Sequence, residues 1–381
     1  MDTGQQDPGI RNQLARVSWR YRPLKAMRKW NIHLIDLLIL AGVTLIAAIV
    51  LTHGDAAPAA SRPTSQQSIR NVIEAPPTTG VPPACPTLRP DPSFGVSLID
   101  TQTGQPLCEH NPDGIAQPAS TTKVMAALLT AKYLQARRLS LDTLITVQPI
   151  DKQVEWDAAV AYLQAGHSYS VRVLLYMASI LSAADAVMVL ARFVAGSRQG
   201  FLALMNDQAR LLGMRHTHYT SPYGYASTPP DHWQQGEQAS VGNYSSAHDM
   251  ALMMAAFAKY PDVVTIFGAS AYHQGGIWLS RSSGYVITDS WIGLSTAAGE
   301  RGKNLHLPFQ VLAVKKGCMW CGESYHKLSY VMLVRFQQAV VAAAFLYTTQ
   351  NYSAPSVGDM LATLLWAFHQ CDQPAYSGYC Q

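Results

Sequence analysis

A serine and a lysine stand three residues apart in Pro118-Ala119-Ser120-Thr121-Thr122-Lys123-Val124-Met125, at the head of a run of helix-forming residues. On one helix, two side chains at that spacing project from the same face. A serine hydroxyl is a weak nucleophile until a base takes its proton, and a neutral lysine amine can be that base. The positive end of the helix adds favourable potential where negative charge develops. The pattern predicts acyl-transfer chemistry, with Ser120 attacking and Lys123 accepting the proton. An isolated S-x-x-K also reads as a capping serine beside a solvated lysine, so the rest of the chain has to decide.

Two other groupings have the look of sites. Cys318-Met319-Trp320-Cys321 has the spacing of half a zinc site, but no second ligand pair stands at a suitable distance. His216 and His218 alternate as metal ligands do, within a stretch that reads as structural. No metal or other cofactor is expected.

The elements that must position Ser120 follow from local pattern. Phe94–Ile99 reads as a strand, 100–105 as a turn containing Gly104, and Pro106–Glu109 as the returning strand. The helix bearing Ser120 comes next. Val171–Met177 and Ser182–Val194 have helical apolar spacing, and Ser246 with Asp249 three residues on forms a capping-box pattern. Residues 261–310 alternate short β-prone pieces, such as Gly284–Ile287 and Leu307–Val314, with Gly-rich turns. Leu328–Val334 and Val340–Tyr347 read as paired strands, and Asp359–Cys371 as a closing amphipathic helix. Strands, then helices, then strands and a last helix predict an antiparallel sheet with an inserted helical region.

Length and charge set the bounds. The chain has 381 residues and a net charge of +4, ample for one large domain. Residues 1–33 hold seven Lys/Arg against Asp2 and Asp7, while the remainder is close to neutral, so nothing points to nucleic acid and no such partner is expected. Leu34–Leu51 is an apolar run interrupted by Asp36 and Thr44, about 27 Å long as a helix. Its basic flank predicts a cytoplasmic tail over 1–33, a single membrane anchor over 34–51 and export of the residues beyond it. A cleaved signal with processing near Ala57-Pro58-Ala59 is the other reading. Residues 52–92, rich in Pro, Ala, Ser and Thr, read as a tether, and 93–381 as the folded domain. All six cysteines lie beyond the apolar run, as expected of disulfides in an exported domain; proximity favours 85–108, 318–321 and 371–380.

These residues together resemble the D-alanyl-D-alanine carboxypeptidases, the low-molecular-mass penicillin-binding proteins of the serine S11 type. The three motifs of that superfamily are S-x-x-K, S-x-N and K-T-G. They fall in order at Ser120 to Lys123, at Ser182-Ala183-Ala184, and at Lys315-Lys316-Gly317. Connecting segments agree: Ala165-Gly166-His167 through Leu174-Leu175-Tyr176, Phe201–Asn206 with Leu212-Gly213-Met214, Ser221-Pro222-Tyr223-Gly224, and Tyr244–Met250. The resemblance implies an α+β fold of the β-lactamase/penicillin-binding-protein type, an antiparallel sheet flanked by helices with an inserted helical subdomain. It implies catalytic roles for Ser120, Lys123 and Ser182, and substrate binding by Lys315, Lys316, Gly317 and Cys318. The backbone N–H groups of Ser120 and Cys318 would hold the oxyanion. The implied partners are peptidoglycan stem peptides as substrate, β-lactams as covalent inhibitors, and the membrane through the N-terminal helix.

Two residues depart from the family pattern. Ala184 replaces the asparagine of S-x-N and cannot hydrogen-bond a substrate amide, a loss of about 1–3 kcal/mol, or roughly ten- to hundredfold in rate. Lys316 replaces the threonine of K-T-G and removes a hydroxyl near the substrate carboxylate. These changes sustain a second reading, a catalytically degenerate protein of the same fold that binds cell-wall peptides or penicillin. A class A β-lactamase is disfavoured, since the Glu with Asn four residues on appears only as Glu300 and Asn304, far from the second motif. A Ser-His-Asp esterase is disfavoured because no G-x-S-x-G occurs.

Overall fold

The computed structural model describes Cys85 and residues 94–155, 158–224, 242–274, 277–280, 291–293, 304–319, 327–347 and 357–369. The expected tail, the apolar run 34–51, Gly284–Ile287, Cys321, Cys371 and Cys380 lie outside the described residues.

In chain order the strands are β1 (Phe94–Asp100), β2 (Pro106–His110), β3 (Leu144–Thr146), β4 (Ser168–Ser170), β5 (Ala271–Gln274), β6 (Ile277–Ser280), β7 (Trp291–Gly293), β8 (Asn304–His306), β9 (Gln310–Met319), β10 (Lys327–Phe336) and β11 (Ala339–Tyr347). The helices are α1 (Lys123–Arg137), α2 (Val171–Tyr176), α3 (Ala184–Ala195), α4 (Arg198–Leu211), α5 (Ala247–Phe257), α6 (Pro261–Gly268) and α7 (Val357–Ala367).

Five strands form one antiparallel sheet in the order β2-β1-β11-β10-β9. The first strands pair with the last, Phe94 opposite Tyr347 through Asp100 opposite Val341. The chain therefore leaves the sheet after β2 and returns at β9, and helices α1–α6 occupy the excursion. The β1–β2 turn is set by Asp100, whose Oδ1 accepts from the N–H of Gln102 at 2.7 Å and of Thr103 at 3.0 Å. Three short two-stranded ribbons, β3–β4, β5–β6 and β7–β8, stand apart from the main sheet.

Period-two alternation sends the sheet's side chains into two cores. Ala313, Val331, Leu333, Ala342 and Ala344 join the helical core that contains α1 and α5. Val314, Met332, Val334, Ala343 and Phe345 pack with Met360, Leu361, Leu364 and Leu365 of α7. Small residues let α5 lie close to the sheet: a Cβ placed on Gly95 would stand 3.2 Å from Ala247 Cβ. Each fully buried Leu or Phe in these layers contributes about 1.5–3 kcal/mol.

The two helical stretches read from the spacing appear as α2 and α3. After α2 the chain takes a π-turn over Met177–Leu181, then breaks at Ser182, which has φ 58°, before α3 begins. Ser246 caps α5 as expected, accepting from the Asp249 N–H at 3.3 Å. The reciprocal half of the box is absent from the geometry of Asp249, whose carboxylate instead accepts from the N–H of His216 and the hydroxyl of Thr217, both at 2.7 Å. The Cys85–Cys108 disulfide forms. Cys318 is also in a disulfide, whose partner lies outside the described residues.

One polar link joins the sheet to α5. Glu109, buried on β2, accepts from Ser97 Oγ at 2.7 Å and from His248 Nδ1 at 2.6 Å. The hydrogen bond to Glu109 raises the His248 pKa above 6.5; burial opposes this, and the charges of Glu109, Asp249 and Asp113 add to it. A raised histidine stabilises the fold fully below its unfolded pKa, and that contribution is lost as pH rises through the folded value. The wild-type urea midpoint should therefore fall, as pH rises above about 6.5, more steeply than that of His248→Gln. Parallel pH curves for the two proteins would show that the link carries no linkage energy.

Candidate active site

Ser120 lies on a 3-10 turn, Ala119–Thr122, which runs directly into α1 at Lys123. This overlap brings the two side chains of S-x-x-K together, with Lys123 Nζ 2.9 Å from Ser120 Oγ. Ser120 is half-buried and reachable, whereas Lys123 is 3 % exposed. Lys123 Nζ also donates to the carbonyl of Tyr223 at 2.8 Å and lies 5.9 Å from the centroid of that tyrosine's ring. Burial lowers the Lys123 pKa to about 7, so its amine is available as a base near neutrality.

The turn that bears Ser120 is clamped between two glycines. A Cβ on Gly224, at φ +88°, would fall 1.8 Å from the Ala119 carbonyl oxygen. On the other side, a Cβ on Gly317 would stand 2.5 Å from the Pro118 carbonyl oxygen and 3.2 Å from Ser120 N. Ala119 between them is held at φ 49°, a left-handed conformation unfavourable for a residue with a side chain. Asn243, 1 % exposed, completes the frame. Its Oδ1 accepts from the Thr220 and Ser221 N–H groups at 2.8 Å, and its Nδ2 donates to Thr122 Oγ1 at 3.1 Å.

The second and third motifs meet across the helical region. Lys315 Nζ, on β9, donates to Ser182 Oγ at 3.1 Å and to the Lys316 carbonyl at 2.9 Å. The left-handed break at Ser182 frees its hydroxyl from the helix that follows. Ala184 is 1 % exposed; its N–H donates to the Ala159 carbonyl at 2.7 Å. Asp185 binds the same neighbouring loop, its two oxygens accepting from Ala161 N at 2.9 Å and Leu163 N at 3.0 Å.

The structure thus brings Ser120 to Lys123, Ser182 to Lys315, and Gly317 against the turn of Ser120. It does not bring the Lys316 side chain to that face. Val314 and Cys318 pack in the core beneath α7, and strand alternation puts Lys316 on their side, opposite Lys315. Burial lowers the Lys316 pKa as well. His218 stacks on Tyr244, and the ring of His216 pairs with Asp113 at 3.3 Å. No cluster of metal-ligating side chains occurs among the described residues.

Four residues at the site escape the sequence reading: Tyr223, Glu155, Arg198 and Asn243. Glu155 accepts from the Tyr223 hydroxyl, and Arg198 lies 3.5 Å from Glu155 and 5.6 Å from the tyrosine ring centroid. Their sequence signal is thin. Tyr223 sits inside Ser221-Pro222-Tyr223-Gly224 and Asn243 just before Tyr244–Met250, but nothing in spacing points from them to Lys123.

Known proteins resemble this chain in sequence and in fold. Residues 94–275 match the family model for D-alanyl-D-alanine carboxypeptidase. The carboxypeptidase DacF of Bacillus subtilis is 29% identical over 171 residues, 45% of this chain and 40% of the relative. DacA of Escherichia coli K12 is 29% identical over 202 residues, 51% of this chain and 46% of the relative. The chain spans less than half the length of these curated relatives. Among solved structures, the D-alanyl-D-alanine carboxypeptidase of Mycobacterium tuberculosis H37Rv superimposes with a TM-score of 0.56 at 21% identity, covering 77% of this chain and 98% of that one. Penicillin-binding protein 5 of Haemophilus influenzae gives 0.54 at 19% identity, covering 76% of this chain and 73% of that one. The chain therefore resembles the D-alanyl-D-alanine carboxypeptidases in sequence and has the penicillin-binding-protein fold.

The clamp gives a direct test. Gly224→Ala adds a methyl where a backbone oxygen already stands and strains a positive φ. The substitution should cost at least about 3 kcal/mol by equilibrium denaturation. Gly317→Ala should displace the Ser120 turn and slow acylation by a fluorescent penicillin at least about tenfold. Wild-type stability in the first variant, together with wild-type labelling in the second, would show that the turn is not confined by these contacts.

Proposed function

We propose that this chain is a serine D,D-carboxypeptidase that removes the terminal D-alanine from peptidoglycan stem peptides through an acyl-enzyme on Ser120. The reading is carried by the buried pair, Lys123 Nζ at 2.9 Å from Ser120 Oγ with the amine brought to about 7. The likeness of residues 94–275 to D-alanyl-D-alanine carboxypeptidases supports it.

In this mechanism Ser120 Oγ attacks the carbonyl carbon between the two D-alanines and its proton passes to neutral Lys123. The developing oxyanion takes hydrogen bonds from the backbone N–H groups of Ser120 and Cys318. Lys315 holds the terminal carboxylate and orients Ser182, to which it donates at 3.1 Å. The proton moves through Ser182 to the leaving nitrogen, the C–N bond breaks, and D-alanine departs. Water then attacks the ester, and Ser120 regains its proton. Lys316 contributes through its backbone, since its carbonyl fixes Lys315 Nζ at 2.9 Å. Gly317 contributes by having no side chain. β-Lactams offer a reactive amide to the same serine and acylate it.

The domain works outside the cytoplasm, held to the membrane by a single pass over 34–51. The basic residues before Leu34 and the Cys85–Cys108 disulfide support that placement. A second reading, a degenerate binding protein, is favoured by one observation: Ala184 presents a buried methyl where the resembled family has an asparagine.

Fluorescent penicillin should label Ser120 alone, and Ser120→Ala should abolish labelling while leaving the fold intact. A D-Ala-D-Ala pentapeptide should yield free D-alanine. Labelling without release selects the binding-protein reading, and labelling at another serine overturns both. Because a lysine with a lowered pKa is neutral above it, acylation should rise with pH to a plateau above about 7. Below that point it should fall roughly tenfold per pH unit. A flat profile across neutrality would remove Lys123 as the base.

A further inference from the structure

A line of contacts leads from the buried amine of Lys123 toward water. Lys123 Nζ donates to the Tyr223 carbonyl at 2.8 Å and lies 5.9 Å from the centroid of that ring. Tyr223 is 2 % exposed, and its hydroxyl donates to Glu155. Arg198 stands 3.5 Å from Glu155 and 5.6 Å from the same ring centroid. The side chains of Glu155 and Arg198 are 29 % and 32 % exposed. One ring therefore neighbours both the dry amine and an ion pair that reaches solvent.

Helix stability does not call for Arg198 where it stands. It is the first residue of α4, where a cation meets the positive end of the helix, and the first turn holds no acidic residue to offset it. Nor does the phenol need a carboxylate, since a carbonyl would satisfy a buried tyrosine equally well. Burial and the bond to Glu155 raise the Tyr223 pKa, so the phenol keeps its proton and donates. Among the described residues its hydroxyl bonds to Glu155 alone. The main chain beside Tyr223 is already fixed, by Asn243 at Ser221 and by the close approach of Gly224 to Ala119. The bond to Glu155 acts on what these leave open, the tilt of the ring.

Other charges on the elements packed against α1 are engaged elsewhere. In α3, Asp185 accepts from the N–H groups of Ala161 and Leu163, and Arg192 pairs with Asp151. In α4, Arg210 pairs with Asp207. In α5, His248 pairs with Glu109 and Asp249 accepts from Thr217. On β9, against the Ser120 turn, Lys315 donates to Ser182. Lys132, further along α1, donates to Gln208.

We propose that Glu155 is a positioning residue for Lys123, and that together with Arg198 it holds the Tyr223 ring as the wall that keeps water from the amine. This rests on the reading of Lys123 as the base that activates Ser120. A ring released from Glu155 admits water, and water favours the ammonium form. The base is then protonated over part of the range in which it was neutral. Loss of the Glu155 charge alone acts the other way, because a nearby anion favours the ammonium. The sign of the shift therefore separates positioning from charge.

In the full chain, in detergent, the rate at which fluorescent penicillin acylates Ser120 should have its midpoint near pH 7. Tyr223→Phe removes the phenol and keeps the ring, while Glu155→Ala removes the acceptor. Each should raise the midpoint by about one unit and slow labelling at neutral pH about fivefold, with the rate restored above about pH 9. An unfolded or displaced site would not recover at high pH. The double variant should shift no further than Tyr223→Phe, as expected when both changes break one bond. Glu155→Gln keeps an acceptor and should leave the midpoint in place or lower it. Unmoved midpoints in Tyr223→Phe and Glu155→Ala, a lowered midpoint in Glu155→Ala, or a rise in Glu155→Gln equal to that in Glu155→Ala overturns the inference. Wild-type labelling with its midpoint near neutrality and unmoved variants removes this inference alone. Absence of labelling at Ser120, or a flat wild-type profile, removes the proposed mechanism and the inference with it.

Discussion

Lys123 is 3 % exposed at the head of a helix buried along most of its length, and the arrangement around it follows from that burial. An ammonium ion taken out of water costs several kcal/mol unless it is compensated. Among the described residues, no carboxylate is bonded to the amine. It meets a serine hydroxyl, a carbonyl and a ring face. Desolvation is therefore relieved by giving up the proton near neutrality, which is the state a general base requires. The inserted helices serve this end, since α1 must be wrapped on all sides for the amine to stay dry. Val124, Met125, Leu128 and Leu129 are each at most 1 % exposed.

A dry base is useful only if the nucleophile stays within reach of it, and that depends on backbone shape more than on side chains. The turn at Ala119–Ser120 is gripped by chain segments that approach so closely that neither Gly224 nor Gly317 has room for a methyl. Gly317 belongs to β9, which lies at the edge of the main sheet. Only an edge strand has backbone groups free of a second ladder, so only there can strand N–H groups serve an oxyanion. The same alternation that turns Gly317 toward Ser120 turns Lys315 toward Ser182 and Lys316 away. Placing the third motif on this strand thus assigns three consecutive residues three different tasks.

Much of the frame was legible in the sequence because it depends on short-range pattern. The β1–β2 hairpin was visible through Gly104, β10 and β11 through apolar runs, and the α5 cap through Ser246. The S-x-x-K spacing gave the Ser120–Lys123 contact because one helical turn fixes it. The readings that needed correction depend on distant chain. Asp249 looked like the second half of a capping box, but residues 216 and 217, more than thirty positions earlier, compete for its carboxylate. The break between Val171–Met177 and Ser182–Val194 was legible, but its form was not, since Val171–Val194 contains no Gly or Pro to announce a π-turn and a left-handed Ser182. Nor does local pattern connect Glu155 to Tyr223, a contact that spans 68 positions.

The two departures from the family pattern fall on one side of the chemistry. The proton path of the proposed mechanism runs through Ser120, Lys123, Ser182 and Lys315, and each of these has its partner in hydrogen-bond reach. On that same reading, the positions held by Ala184 and Lys316 are ones the resembled family uses for substrate recognition. Ala184 cannot grip an amide, and the Lys316 side chain points to the far face of the sheet. Losing contacts made equally by substrate and transition state weakens capture, whereas losing contacts made only in the transition state slows the chemical step. A small, intrinsically reactive acylating agent needs little of that recognition, while an unstrained peptide needs most of it. On the proposed reading, the site is therefore less impaired toward β-lactams than toward stem peptides.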